Sequence, residues 1–166
     1  MRGVIARDCI FRIHRDVRFS RDKSPYKVNM GASIGPGGRR THRFNYYMHL
    51  EPGDASKIAG GMYQPEAEDL RRFRAAIGHD ARKFKSILGS RSFKQYFGEV
   101  TGERLTTAPQ GFERTHAEIE LLRLKSVVAM RPVADTQVLS KHFPAHVVRA
   151  FRAMKPFLDY LRATAG

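Results

Sequence analysis

The residues best suited to chemistry lie close together near the start of the chain, between Phe11 and Lys27. This charged segment carries two carboxylates and six cationic side chains: Asp16 and Asp22 with Arg12, Arg15, Arg18, Arg21, Lys23 and Lys27. Guanidinium groups present a rigid fork of donors that matches carboxylate and phosphate oxygens. The surplus of cations therefore predicts a small-ligand or enzymatic site for an anionic substrate, a phosphorylated one among the options.

Apolar and polar residues alternate from Cys9 to Ser20, as in a strand with one buried and one solvated face. In such a strand Arg12, Asp16 and Arg18 share the solvated face, where residues two apart lie about 6.6 Å from each other. Asp16 would orient the arginines, accept a proton or hold a metal. The loop that follows would close one end of this face. The predicted ligand-binding residues are Arg12, Asp16, Arg18, Asp22, Lys23, Tyr26 and Lys27. The pattern assigns no catalytic residue and no cofactor.

The charged segment also has a purely structural interpretation. Arginine–aspartate pairs on a solvated sheet face contribute little stability and need no ligand. Arg15 falls on the apolar parity of the predicted strand, and a buried arginine requires an acidic partner, for which Asp22 is a candidate. In this interpretation the segment braces the fold of a structural or interaction protein.

Tyr47, His49 and Glu51 form a second, smaller group on one parity of another alternating run. They either join the charged face of the first strand or are its solvated neighbours. His142 and His146 have the spacing of ligands on a helix, but Pro144 lies between them and no acidic residue is adjacent, so no metal site is predicted. Cys9 has the parity of a buried core residue.

The spacing of apolar residues, which predicts the elements that would position these side chains, changes along the chain from alternating to helical. Alternation predicts strands at 9–18, 26–34, 43–51 and 126–133, with Gly35 to Gly38 as a hairpin connection. Apolar residues at helical spacing predict helices near 66–88, 92–97, 116–123 and 145–163. Gly78 would weaken or break the first helix in its middle, Thr115 and Glu118 would cap the third, and Pro156 would kink or divide the last. The fold class is α+β, one domain over residues 1–166 with an antiparallel sheet of about four or more strands and helices packed on one face.

Composition limits the partners. The chain has 166 residues, 42% of them hydrophobic, and a formal net charge of +14. Such a charge attracts polyanions, so a non-specific nucleic-acid-binding module is the main alternative function, although the sequence has no recognised nucleic-acid-binding motif. The single cysteine excludes an internal disulfide and fits a reducing compartment. With no apolar run of membrane-spanning length, we expect a cytoplasmic protein with no membrane partner.

Several stretches of the chain resemble one protein family. The segment R-D-V-R-F-S-R-D-K-S-P-Y-K is similar to the signature of uncharacterised bacterial and fungal proteins grouped as domain of unknown function 2461. The resemblance continues through 45–52, 60–65, 108–112, 116–125 and the Phe-Arg-Ala-Met-Lys-Pro tail. It implies a shared fold but no established activity. Family members usually begin with a further helical segment before the part matching Ile10, which this chain lacks. The resemblance therefore implies either that those helices are dispensable here or that the chain is a fragment whose exposed surface a partner fills, and we expect self-association or a bound partner subunit.

Overall fold

The centre of the fold is a five-stranded antiparallel sheet with the strand order β1-β2-β3-β5-β4. The structure, a computed structural model, describes residues 4–19, 21, 23–41 and 43–166. The strands are β1 (Met30–Ile34), β2 (Arg43–Leu50), β3 (Ser56–Met62), β4 (Val100–Thr101) and β5 (Val127–Val133). The predicted α+β class is confirmed.

Helices cover one face of this sheet. They are α1 (Ala6–Cys9), α2 (Ala67–His79), α3 (Arg82–Gly89), α4 (Arg91–Phe97), α5 (Ile119–Leu122), α6 (Asp135–Val138) and α7 (Phe143–Ala165), with a 3-10 turn at Gly38–Arg40. The long helix α7 contacts β2 and β3 and is flanked by α2, α3 and α4. The sheet therefore has one face packed under helices and one face turned away from them.

Period-two alternation decides which side chains meet the helices. On β2, Tyr46 is buried and its ring lies 4.6 Å from that of Phe151 on α7. Phe84 and Phe93 place their rings 6.0 and 5.5 Å from Phe157, at the centre of the helical layer. Since these rings are fully buried, aromatic packing supplies much of the apolar burial that holds α7 to the sheet.

Gly60 lets α7 approach the backbone of β3. A Cβ added there would collide with Met154 Sδ and would lie 3.0 Å from the carbonyl oxygen of Asn45. The neighbouring Gly61 has a φ of 134°, which L side chains rarely adopt. A Cβ on Gly61 would collide with the Val127 carbonyl oxygen and lie 3.2 Å from Phe157, so the glycine pair serves close packing against α7 and β5.

The first predicted strand, at 9–18, is wrong. This stretch forms only isolated bridges, Ile10 with Ala32 and His14 with Tyr26, and its other backbone bonds are irregular. Alternation needs a layer to bury its apolar side, yet Ile13 is 40% exposed and Phe19 is 96% exposed. The strand predicted at 26–34 is shortened for the same reason, since regular pairing with β2 begins only at Met30.

Three further boundaries differ from prediction. The helix expected over 66–88 with a weak point or break at Gly78 is two helices, and the break lies slightly later, at Asp80 between α2 and α3. Pro156 does not divide α7, whose buried side chains continue on both sides of it. The capping box at Thr115 is wrong, since Glu118 accepts an ion pair from Lys85 at 2.8 Å and α5 begins after it. Strand β3 was not predicted from the sequence.

Candidate functional site

The face of the sheet turned away from the helices forms a cleft of about 800 Å³. Its floor is Ala59 and Gly61 on β3, bounded by Tyr47 and His49 on β2 and by two apolar residues of β5. The two β5 residues are Val128 and Met130, and the remaining lining comes from all the other strands and from the segments between elements: Phe11, Ser33, Asn45, Lys57, Gly60, Tyr63, Gln64, Pro65, Thr101, Gly102, Glu103, Lys125 and Ser126. A concave surface with few convergent polar groups is the usual form of a small-molecule site.

Tyr47, His49 and Glu51 form a hydrogen-bonded relay along this cleft. The Tyr47 hydroxyl lies 3.3 Å from His49 Nδ1, and His49 Nε2 lies 2.6 Å from Glu51 Oε2. Residues two apart on a strand face the same side, so the alternation of β2 brings the three together. Because an ionised carboxylate only accepts, Nε2 is the nitrogen that donates to Glu51. Nδ1 accepts from the phenol when the ring is neutral and donates to it when the ring is protonated.

The acidic end of the relay is held by the turn between β2 and β3. The backbone N–H of Glu51 donates to Ser56 Oγ at 3.0 Å, and that hydroxyl donates to the Glu51 carbonyl at 3.1 Å. Asp135 fixes the tip, accepting from Gly53 N at 2.8 Å and donating its own N–H to Asp54 at 2.7 Å. This support restricts the geometry in which the Glu51 carboxylate meets His49.

Tyr47 is a neutral hydrogen-bonding group. Burial, and secondly the proximity of Tyr63, raises the pKa of Tyr47 above its usual value of 10.0, so the phenol keeps its proton at neutral pH. The ring packs edge-on against Phe11 with 6.3 Å between centroids. A Cβ on Gly31 would lie 3.0 Å from the hydroxyl, so the glycine leaves the room that this orientation needs.

Lys57 supplies an uncompensated cation beside the relay. It is the register partner of His49 on β3, so both side chains project from the same face. Lys57 is partly buried and lines the cleft, and its ammonium group makes no hydrogen bond or ion pair with any other residue that the structure describes. At the far end, by contrast, Lys125 Nζ lies 3.3 Å from Glu103 Oε2. The attraction for an anion is therefore concentrated at Lys57.

The far end of the cleft carries backbone strain. Gln64, on the connection that follows β3, has a φ of 44°, and its N–H donates to Ser126 Oγ at 3.2 Å. A non-glycine residue in this region costs energy that the surroundings must offset, and such residues cluster at functional sites. The strain is consistent with a cleft whose shape is maintained for a ligand.

The charged segment lies elsewhere. Arg18 binds Asp16 at 2.9 and 2.6 Å, and these hydrogen bonds, ahead of the Arg18 backbone bond and the charge of Arg12, lower the pKa of Asp16. Asp16 and Arg18 are thus paired on an exposed loop, and Arg12 acts on Asp16 only through its charge. The prediction that they occupy the polar sheet face is wrong, because the strand that would carry them does not form.

The remaining predicted ligand residues are also peripheral to the cleft. Lys23 donates to the Val17 carbonyl at 2.9 Å, and the Tyr26 ring lies 5.3 Å from that of His14. Lys27 is exposed and Asp22 lies outside the described residues. The charged segment reaches the cleft through Phe11, which lines one wall.

The sequence predicted a shared face for the relay residues but not the relay itself, and it gave no indication of Lys57. Tyr47, His49 and Glu51 were placed on one strand face, and the structure confirms that shared face. Lys57 lies on the strand that was not predicted. The signal was present in the alternation of Lys57, Ala59 and Gly61 with Ile58, Gly60 and Met62, but two glycines mask it.

Neither a metal cluster nor a membrane span is found in the described part of the chain. No group of three His, Cys, Asp or Glu residues there is arranged to hold a metal ion. No helix among those residues is both long enough and apolar enough to cross a bilayer.

Comparison with known proteins supports the resemblance seen in the sequence. A family model described as "Conserved hypothetical protein (DUF2461)" matches residues 1–160. The chain belongs to the DUF2461 family. Neither the curated proteins nor the solved structures contain a significant match to this DUF2461 chain. Its chemistry must therefore be inferred from the cleft itself.

Proposed function

We propose that this DUF2461 protein binds a small organic anion in the cleft and exchanges a proton with it through the Tyr47–His49–Glu51 relay. The observation that carries the proposal is a partly buried lysine, without a partner among the described residues, placed in register beside a hydrogen-bonded tyrosine–histidine–glutamate chain. An unneutralised cation in a concave site favours an anionic ligand. A carboxylate or phosphate group meets that requirement.

The relay has two hydrogen-bond arrangements that differ by one proton. With a neutral ring, the Tyr47 hydroxyl donates to His49 Nδ1 and offers only a lone pair to the cleft. With a protonated ring, Nδ1–H donates to the Tyr47 oxygen, and the hydroxyl proton turns towards the cleft. An anionic ligand oxygen accepts that proton in a hydrogen bond, so anion binding selects the second arrangement.

Two oppositely charged groups flank His49 on this face. Glu51 hydrogen-bonds its Nε2, and the Lys57 side chain projects beside it from β3. An anion seated against Lys57 accepts from the Tyr47 hydroxyl in the second arrangement, so ligand binding and that arrangement support each other. Proton return through Tyr47 to the bound ligand is then general acid catalysis by a neutral phenol.

Side-chain ¹⁵N NMR of the histidines tests the proposal directly. Acetate and inorganic phosphate, titrated at constant ionic strength against chloride, should move the His49 signals towards the doubly protonated pattern. Lys57→Met should remove the effect. Lys94→Met, which deletes an exposed lysine on α4, is the matched control and should leave it unchanged.

A second pair of variants distinguishes the cleft from the charged segment. Tyr47→Phe removes the hydroxyl that bonds His49, whereas Tyr26→Phe removes a hydroxyl from the exposed loop. Weaker anion binding in Tyr47→Phe alone supports the cleft. Loss in Tyr26→Phe alone, or anion shifts that survive Lys57→Met, would contradict the proposal and favour the charged segment as the site.

Nucleic-acid binding is the second candidate function, and one observation favours it. Phe19 is 96% exposed, with the Arg18 guanidinium 5.9 Å from its ring centre, on a loop that also exposes Arg12, Arg21 and Lys27. Exposed aromatic rings among cations suit stacking on single-stranded bases. Retention of an oligonucleotide that falls steeply with salt and weakens in Phe19→Ala would support it. Absence of retention at low ionic strength would exclude it.

A further inference from the structure

The cleft has a direction, and that direction specifies more of the ligand than its charge. Lys57 stands at one end of β3 and Tyr63 follows the other end. The two are six positions apart, which corresponds to about 20 Å of extended strand. The low floor between them is Ala59 and Gly61, so the cleft is a trench along β3 rather than a round pocket.

The two walls of the trench differ in chemistry. On the β5 side the register places Met130 beside Ala59 and Val128 beside Gly61, so this wall is apolar. On the β2 side Tyr47 pairs with Ala59 and His49 with Lys57, so this wall is polar near the Lys57 end. Met130 remains 38% exposed and Tyr63 remains 61% exposed, which leaves apolar surface available to a ligand.

The two ends of the trench differ in net charge. Lys57 has no partner among the described residues, whereas Lys125 at the other end is neutralised by Glu103 at 3.3 Å. An anionic group is attracted at the first end and gains little at the second. A ligand with charged groups at both ends would place one of them beside the Glu103 carboxylate or against the apolar wall.

We infer that the ligand is an elongated amphipathic monoacid. Its anionic head contacts Lys57 and the Tyr47 hydroxyl, and its apolar body lies over Ala59 and Gly61 against Val128 and Met130. This inference rests on the proposed function, because it assigns a ligand class and an orientation to the same cleft. Burial of each methylene along the apolar wall adds affinity by the hydrophobic effect.

A series of probes tests length, head group and head number separately. Octanoate should bind at least roughly tenfold more tightly than acetate, since full burial of one methylene is worth about fourfold in affinity. Octylamine, with the opposite charge, should not bind at the His49 end. Octanedioate, which has the same length and a second carboxylate, should bind more weakly than octanoate. Methyl and histidine NMR signals report both affinity and location.

Two variants separate the body from the head. Met130→Ser makes an exposed wall position polar and should weaken octanoate several-fold while leaving acetate binding unchanged. Ala59→Leu fills the floor and should do the same, with Ala75→Leu on the exposed face of α2 as the control. Met130 is solvent-accessible, so we expect Met130→Ser to fold. It therefore keeps the test informative even if Ala59→Leu disturbs the sheet.

The outcomes distinguish this inference from the function on which it rests. Suppose that acetate shifts the His49 NMR signals, that Lys57→Met removes the shift, but that octanoate binds no more tightly than acetate. The anion site then stands and the amphipathic ligand is rejected. Octanoate affinity that is unchanged in Met130→Ser also rejects it. If neither acid perturbs the cleft, both the ligand class and the proposed function fail.

Discussion

Gly60→Ala should destabilise the protein markedly although it adds only one methyl group. The added Cβ would collide with the sulfur of Met154, which is fully buried, and would lie 3.0 Å from the Asn45 carbonyl oxygen, which belongs to the backbone of β2. The Met154 thioether must shift within a fully packed core, and the Asn45 carbonyl, as backbone, cannot move without disturbing the sheet. Overpacking of this kind costs about 1–3 kcal/mol.

The assay is equilibrium unfolding by urea and by heat. In a domain of this size, about 1 kcal/mol lowers Tm by roughly 2–4 °C, so the expected loss is about 2–12 °C. Gly89→Ala is the matched control, because nothing lies within 4 Å of its added Cβ and the residue ends helix α3. That variant should be neutral or slightly more stable, since alanine favours helix over glycine by about 1 kcal/mol. Equal stability of the Gly60→Ala protein and the wild type would refute the argument that α7 needs this close approach.

Three other stability measurements follow from the structure. Phe157→Ala should cost about 3–5 kcal/mol in urea unfolding, because it empties the centre of the aromatic layer, and a cost below about 1 kcal/mol would contradict that packing. Burial, and secondly the charges of Arg131 and Arg149, lowers the pKa of His146 below 6.5, so the folded state binds fewer protons than the unfolded state. The stability that depends on His146 should therefore be complete above about pH 6.5 and decline as the pH falls. His146→Gln should flatten this part of the pH–stability profile. Arg18→Ala should change the unfolding free energy by less than about 1 kcal/mol because its ion pair is exposed, and a larger loss would support the structural role of the charged segment.

The α+β class was predictable because two periodic patterns in the sequence, strand alternation and helical spacing of apolar residues, match the burial found in the structure. Tyr46 and Tyr47 lie on opposite parities, and the structure buries the first under α7 and lines the cleft with the second. The apolar spacing of the last helix likewise predicts α7. Both signals are properties of single elements, so they can be found without knowing what packs against them.

The parts that were not predictable depend on neighbours in space. Strand β3 contains two glycines that lower its strand propensity, yet β2 and β5 pair with it on both sides. The alternation around Ile13 has the opposite outcome, because no layer covers its apolar side. Lys57 joins His49 only through the β2–β3 register, so the candidate site could not be assembled from one segment of the sequence.

Chemical-shift mapping of the labelled protein with octanoate tests the central claim most directly. The perturbed amide and methyl signals should centre on His49, Lys57 and Ala59, and the same titration of Lys57→Met should leave them unmoved. Perturbations centred instead on Arg12, Arg18 and Lys27, or unchanged in Lys57→Met, would contradict an anion site in the cleft.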